Sequence, residues 1–171
     1  MSPPILNLAA YRFWPVVDPQ ATRDALDAAG RALGVKGTIL VTPEGLNAFL
    51  AAAETPCRAM LDHLRAVPGF ATLQAKESRS ATVPFKRFKV KVKKEIIRMD
   101  HPTIRPVDRR APAVDAQTLA RWLDRGCDDN GNAVVMLDTR NEFEVDCGKF
   151  ENAIDWRIRK FTEFPPAVQA H

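Results

Sequence analysis

Three groups of residues carry the chemistry this sequence can offer. Asp138 and Arg140 lie two apart at the end of the apolar run Ala133-Val-Val-Met-Leu137, with Glu144 four residues after the Arg and Gly148 beyond it. An acid and a guanidinium at the carboxyl end of a strand, beside the turn that follows, are well placed for an anion, because ligands of open α/β sheets settle outside the strand ends. Two readings compete here. Either these groups touch a substrate, or Arg140 and Glu144 form an ion pair that fixes the loop; the ion pair carries more weight, since such pairs also populate functional-looking loops. The second group is Phe88-Lys-Val-Lys-Val-Lys93, where the two-residue period of β structure turns Phe88, Val90 and Val92 toward a core and Lys89, Lys91 and Lys93 away from it. Reinforced by Lys86, Arg87, Lys94 and Arg98, this positive face can neutralise several phosphates, and Phe85 at its border can stack a base. The plainer reading is an edge strand guarded by lysines against aggregation. The third group is Glu44-Gly45-Leu46-Asn47. There Gly45 supplies a positive φ in a hairpin and Asn47 bonds the local backbone, a structural role that outweighs contact with RNA.

The other reactive side chains offer less. Cys57, Cys127 and Cys147 are odd in number and far apart, without a Cys-x-x-Cys pair, so reduced thiols are expected rather than a disulfide framework or a zinc site. Cys57 falls in a helix and Cys127 in a turn, and both are expected to be inert. His63, His101 and His171 are too widely separated for a local metal motif, and no metal is expected. Asp128-Asp129 lies in the polar stretch Asp128-Asp-Asn-Gly-Asn132 and reads as solvated loop carboxylates.

The elements that must position these groups follow from periodicity and punctuation. Asn7–Val17 reads as a strand, ended by Asp18-Pro19, where Asp caps and Pro opens a helix. In that helix, over Thr22–Leu33, Leu26, Ala29 and Leu33 recur at spacings of three and four, and Gly34 stops it. Gly37–Thr42 and Leu46–Ala51 form a hairpin around Pro43-Glu-Gly45. A second helix fits Thr55–Val67, with Met60, Leu61 and Leu64 on one face, and Phe70–Lys76 supplies a further strand. Strand, helix, strand, strand, helix, strand is the split βαβ order of a ferredoxin-like α+β fold, in which two helices cover one sheet face and leave the other for a partner. The basic segment Phe85–Ile97 adds a strand. Three prolines within His101–Pro112 break regular hydrogen bonding and mark a linker. Beyond it, Asp115 caps a helix carrying Leu119, Trp122 and Leu123 on one face, and Ala133–Asp138 has the unbroken apolar character of a parallel strand buried on both sides.

The stretch Leu137–Ile154 resembles the strand-end signature of the rhodanese superfamily. In that superfamily an Asp-x-Arg closes a central strand, a Glu follows four residues after the Arg, and a Gly-His-Ile-x-Gly-Ala-like segment comes next. Asp138, Arg140, Glu144, Gly148 and Ala153 hold those places, while Lys149, Phe150 and Asn152 depart from the commonest residues. Combined with a front module carrying Gly37 and Glu44-Gly-Leu-Asn-Ala48, and with the basic strand, the chain resembles the tRNA uridine hydroxylase family over nearly its whole length. The resemblance implies three parts: an acylphosphatase-like, RNA-binding ferredoxin-like domain over 1–99, a linker over 100–112, and the N-terminal part of an α/β rhodanese-like domain over 113–171. It implies oxygen-dependent 5-hydroxylation of the wobble uridine, with tRNA as partner, molecular oxygen as co-substrate, and no metal or flavin cofactor. It also implies a reactive cysteine in a Cys-Thr-Gly-Gly-like loop that leads into a helix, where backbone N–H groups and the helix dipole stabilise a thiolate. No such loop precedes His171, and Cys147 occupies a variable position of the signature. The nucleophile is therefore expected beyond His171, the residues present are expected to support catalysis without performing it, and the chain reads as a truncated portion of an enzyme. A rhodanese-type sulfurtransferase and a non-catalytic RNA-binding module are the alternatives.

Size and composition agree with such a layout. A chain of 171 residues holds one ordinary domain, or a small domain and part of another. With 46% hydrophobic and 27% charged residues it can bury a core, and it is expected to be soluble. No stretch approaches the roughly 18 apolar residues of a membrane span. The start MSPPILNLAAYRFW lacks the marks of a signal peptide, so a cytoplasmic location is expected. A net charge of +4 tilts the chain mildly toward anionic partners.

Overall fold

Strand β1 (Ile5–Phe13) buries Leu6, Leu8 and Ala10 on alternate positions and turns the residues between them outward. It starts and stops earlier than the apolar run Asn7–Val17 suggests. Pro15 has no N–H to give a sheet, and Trp14 and Val16 donate instead to the carbonyls of Glu44 and Pro43, at 2.9 and 3.1 Å. Helix α1 (Pro19–Ala32) begins as its sequence dictates: the Asp18 carboxylate accepts from the Ala21 N–H at 2.9 Å, and Pro19 needs no donor in the first turn. Strands β2 (Lys36–Thr42) and β3 (Gly45–Ala52) form the expected hairpin. Helix α2 (Glu54–Ala66) follows one residue earlier than its periodicity predicts.

Two strands differ from expectation. Strand β4 occupies Ala75–Ser80, not Phe70–Lys76, because Phe70 and Leu73 are fully buried plugs in the turn after α2 rather than sheet residues. Strand β5 is only Phe88–Val92, a short central piece of the expected Phe85–Ile97. Its partner explains the length: β5 pairs with β2 alone, and β2 ends at Thr42 in the hairpin turn, so the Lys93 N–H donating to the Val41 carbonyl at 2.9 Å is the last bond available.

The five strands form one sheet in the order β4-β1-β3-β2-β5, with the first four antiparallel and β5 parallel to β2. This is the ferredoxin-like arrangement with one strand added at the β2 edge. Helices α1 and α2 cover a single face, where Leu26, Met60, Leu61 and Leu64 pack with Leu6, Ile39, Leu46 and Leu50. Each such side chain contributes about 1.5–3 kcal/mol by leaving water. Helix α1 also fixes the added strand. Gly30 lies so close to the Phe88 ring that a Cβ there would sit 2.1 Å from it, and Arg23 Nε donates to the Val90 carbonyl at 3.4 Å.

The structure is a computed structural model and describes residues 4–99, 106, 108 and 111–170. These fall into two compact units, the first reaching Ile96 and including Pro106 and Asp108, the second holding 97–99 and 111–170. Most of the segment expected as a linker, 100–112, lies outside the described residues. In the second unit, helix α3 (Ala116–Arg125) is capped by Asp115, whose carboxylate accepts from Gln117 and Thr118 N–H groups at 3.0 and 2.9 Å. Strand β6 is reduced to Leu137–Asp138 and pairs in parallel with β7 (Ile154–Asp155). The expected strand Ala133–Asp138, buried on both faces, is not what forms: Val135 is 68% exposed, and among the described residues β7 is the one strand paired with this segment, beside an isolated bridge from Ala133 to Cys127. Helix α4 (Glu142–Asp146) follows β6, and α5 (Phe164–Ala170) ends the described chain.

Candidate functional site

The basic strand lies at the edge of the first sheet. Register places Lys89 beside Thr38 and Lys91 beside Leu40, on the face away from the helices, while Val90 is buried beneath. Val92 has the helix-side parity expected of it but is 41% exposed, since the strand ends there. Lys86 and Arg87 precede the strand, and the Arg87 carbonyl accepts from the Gly37 N–H at 2.9 Å. Lys93 follows the strand. All five basic side chains are exposed, and none has a carboxylate partner among the described residues. The result is a row of free cations along a sheet edge, an arrangement that attracts a polyanion. Phe85, expected to border the face, is partly buried before β5 begins.

In the hairpin motif, Glu44 and Gly45 make contacts within the fold. Gly45 has φ +153°, and a Cβ there would stand 2.1 Å from the Arg12 carbonyl oxygen, so only glycine lets β3 start this close to β1. Glu44 has a role that local reading misses: its Oε1 accepts from the Ile96 N–H at 2.6 Å, tying the chain after β5 back to the turn. Asn47 does not bond the local backbone. It sits on the open face between Tyr11 and Leu40, without a side-chain hydrogen bond among the described residues.

Sequence reasoning also misses two rings. Tyr11 on β1 and Phe49 on β3 stand on the open face, half exposed. The signal was present in the alternation of Leu8-Ala-Ala-Tyr11 and Ala48-Phe-Leu50, whose odd positions point away from the core.

In the second unit, the signature residues come together at the end of β6. The Arg140 guanidinium donates to both Asp138 carboxylate oxygens, the closest at 2.6 Å, and to the Gly148 carbonyl at 2.7 Å. Asp138 also accepts the Arg140 backbone N–H at 3.1 Å. The hydrogen bonds from Arg140 hold the Asp138 carboxyl below its ordinary range and raise the guanidinium in turn. Arg140 does not pair with Glu144, as the loop-fixing reading expects. Glu144 turns back to the start of α4, where its carboxylate accepts from the Asn141 backbone N–H at 3.2 Å and from its side-chain amide at 3.0 Å. Both residues still fix the loop, each through a different partner. Lys149 Nζ donates to the Ala153 carbonyl at 3.1 Å. Asp138, Arg140, Gly148 and Lys149, together with Met136 and Phe150, line an open cavity of about 620 Å³, and Asn141 and Glu144 lie outside its lining.

Of the thiols, Cys57 is fully buried, its Sγ donates to the Leu6 carbonyl at 3.5 Å, and burial pushes its pKa up, which disfavours the thiolate. Cys147 is exposed at the end of α4 and bonded to the Phe143 carbonyl at 3.3 Å. Cys127 sits in a bridge with Ala133. Among the described residues no group of three or more His, Cys, Asp or Glu is arranged to hold a metal, and no helix is long and apolar enough to cross a membrane. Asp129 pairs with Arg121 and Arg125, and Asp128 closes its turn through Asn130 and Asn132, as solvated loop carboxylates do.

Comparison with known proteins fits this geometry. Residues 5–96, the five-stranded unit, match the family described as the UPF0176 acylphosphatase like domain. The tRNA uridine(34) hydroxylase of Delftia acidovorans is 58% identical over 167 residues, which cover 98% of this chain and 64% of that protein. That of Variovorax paradoxus is 57% identical with the same coverages. That of Bordetella avium is 56% identical, again over 98% of this chain, and 69% of that protein is covered. The chain thus spans about two thirds of the length of these curated relatives. With a domain match over all five strands of the first unit and relatives above half identity through both units, the chain belongs to the tRNA uridine(34) hydroxylase family.

Proposed function

We propose that this chain supplies the tRNA-binding part of a cytoplasmic enzyme that hydroxylates the wobble uridine of tRNA at C5, with molecular oxygen as co-substrate. Its second unit is then the first part of a rhodanese-like domain. The observation that carries the reading is that identity of 58% to a tRNA uridine(34) hydroxylase runs over 98% of the chain, through both the basic sheet and the Asp138–Arg140 loop. In this reading Lys86, Arg87, Lys89, Lys91 and Lys93 contact phosphates, which orient the RNA without choosing its sequence. Glu44, Gly45 and Asn47 shape and border that face. Asp138, Arg140, Glu144 and Gly148 hold the loop after β6, because Arg140 Nε and Nη2 are turned to Asp138 and the Gly148 carbonyl and Glu144 to Asn141, all within the loop. They position the site rather than attack the uridine.

The test is nucleoside mass spectrometry of tRNA from cells lacking the gene product that carries this chain, with and without its return. Restored 5-hydroxylated uridine at the wobble position supports the proposal. Sulfur gained in place of oxygen would assign the protein to sulfurtransferases, and an unchanged tRNA would leave a binding module.

A further inference from the structure

The face of the first sheet away from α1 and α2 is built of cross-strand rungs. One rung runs Lys89, Thr38, Phe49, Ala9, Lys76 across all five strands, and the next runs Lys91, Leu40, Asn47, Tyr11. Each therefore joins a lysine at the β5 edge to an aromatic ring on an inner strand. Phe49 is 49% exposed and Tyr11 52%, although β1 and β3 are interior strands that bury Leu6, Leu8, Leu46 and Leu50 on the opposite face. The Phe13 ring meets Tyr11 edge-on, with centroids 6.2 Å apart and planes at 75°, which braces it from the side. The two exposed rings are diagonal neighbours, about 7–8 Å apart at the backbone, and form separate platforms. Between them, Asn47 presents an amide that can both donate and accept. The charges at open-face positions of these strands are Lys36, Lys76, Lys89 and Lys91, with no carboxylate among them.

We propose that this face binds two unpaired nucleotides of an RNA strand, with one base on Phe49, one on Tyr11, the phosphates along the Lys89–Lys91 edge, and the Asn47 amide against a base edge. The inference rests on the tRNA-binding reading and deepens it from backbone attraction to recognition of an unpaired segment. Its physical basis is that every base has a π-face, so aromatic platforms beside a positive track take up single strands, while a duplex keeps its bases stacked out of reach. A protein partner is disfavoured by the uniformly positive charge around the rings, which costs a neutral apolar surface more than it costs a polyanion.

The experiment titrates the full 171-residue chain with a labelled oligouridylate, with an abasic strand of equal length, and with oligouridylate carrying 5-iodouridine for photocrosslinking. Oligouridylate should bind about tenfold or more tightly than the abasic strand. Tyr11→Ala and Phe49→Ala should each remove about tenfold from the first and nothing from the second, while Tyr11→Phe retains binding. Crosslinks should map to Tyr11 or Phe49 in the unmodified chain, a readout that no folding defect can imitate. Equal affinity for the two strands, or crosslinks confined to other residues, would overturn the stacking proposal and leave the phosphate reading standing. Failure to bind either strand or tRNA would overturn both. Self-association that is abolished by the ring substitutions would assign the face to a second copy and likewise end the proposal.

Discussion

Replacing Lys89, Lys91 and Lys93 together by alanine removes the charge from the β5 edge and leaves the packing below it untouched. All three side chains are exposed and lack a carboxylate partner among the described residues, and the buried residue of the strand is Val90, so no internal contact is lost. Each lysine that neutralises one phosphate adds about 0.7–0.9 to the slope of log K against log salt. Three such contacts make the variant's slope shallower by about 2–3, so that raising salt from about 50 to 200 mM costs it about 20- to 40-fold less affinity than it costs the unaltered chain. Fluorescence anisotropy of labelled tRNA across a salt series reads this directly. The Lys→Arg triple, which keeps the charge, should keep the slope. An alanine triple with unaltered slope and affinity would refute the phosphate role and reduce these lysines to guards of a sheet edge.

Phe70→Ala empties a fully buried position under the first sheet and should cost about 3–5 kcal/mol in urea unfolding of the first unit; a loss below about 1 kcal/mol would mean the turn after α2 is not a core element. Gly45→Ala drives a Cβ to 2.1 Å from the Arg12 carbonyl at a backbone angle alanine avoids, and should lower stability by about 2 kcal/mol or more. An unchanged denaturation midpoint would show that the hairpin can open there. The Arg140 clamp holds the Asp138 carboxyl below its ordinary value of 3.8, so the contact stabilises the loop above that pH and is lost as pH falls through the lowered value. Arg140→Ala should therefore return the Asp138 midpoint toward 3.8 in a carboxyl-detected NMR titration. A midpoint that stays low would place the cause elsewhere in the loop.

The parts of the fold that were legible in the sequence are those where local chemistry and tertiary packing agree. Asp18-Pro19 starts α1 in both, the three-and-four spacing of Met60, Leu61 and Leu64 becomes the buried face of α2, and Pro43-Glu44-Gly45 turns the hairpin. Strand β4 was illegible for a physical reason. It is an edge strand whose helix-side residues, Glu77 and Arg79, reach Arg58 and Glu54 on α2 by ion pairs, so Ala75–Ser80 carries no apolar alternation. Phe70 and Leu73 drew the expectation to themselves because a buried turn residue and a buried strand residue have the same composition. The length of β5 depends on where β2 stops, and the exchange of Arg140 and Glu144 partners depends on Asn141 and Gly148 lying within reach, neither of which a one-dimensional pattern records. The open-face rings obey the period-two rule, but they lie far from the lysines in sequence, whereas Phe85 lies beside them and so draws the expectation of a base partner.

The central claim, that this chain carries the surface that takes the tRNA, is tested most directly by footprinting an unmodified tRNA bound to it. Protection should fall on the unpaired loop that contains uridine 34, the position named for the hydroxylases this chain resembles. Protection confined to paired stems, or none at concentrations that saturate binding, would contradict the account.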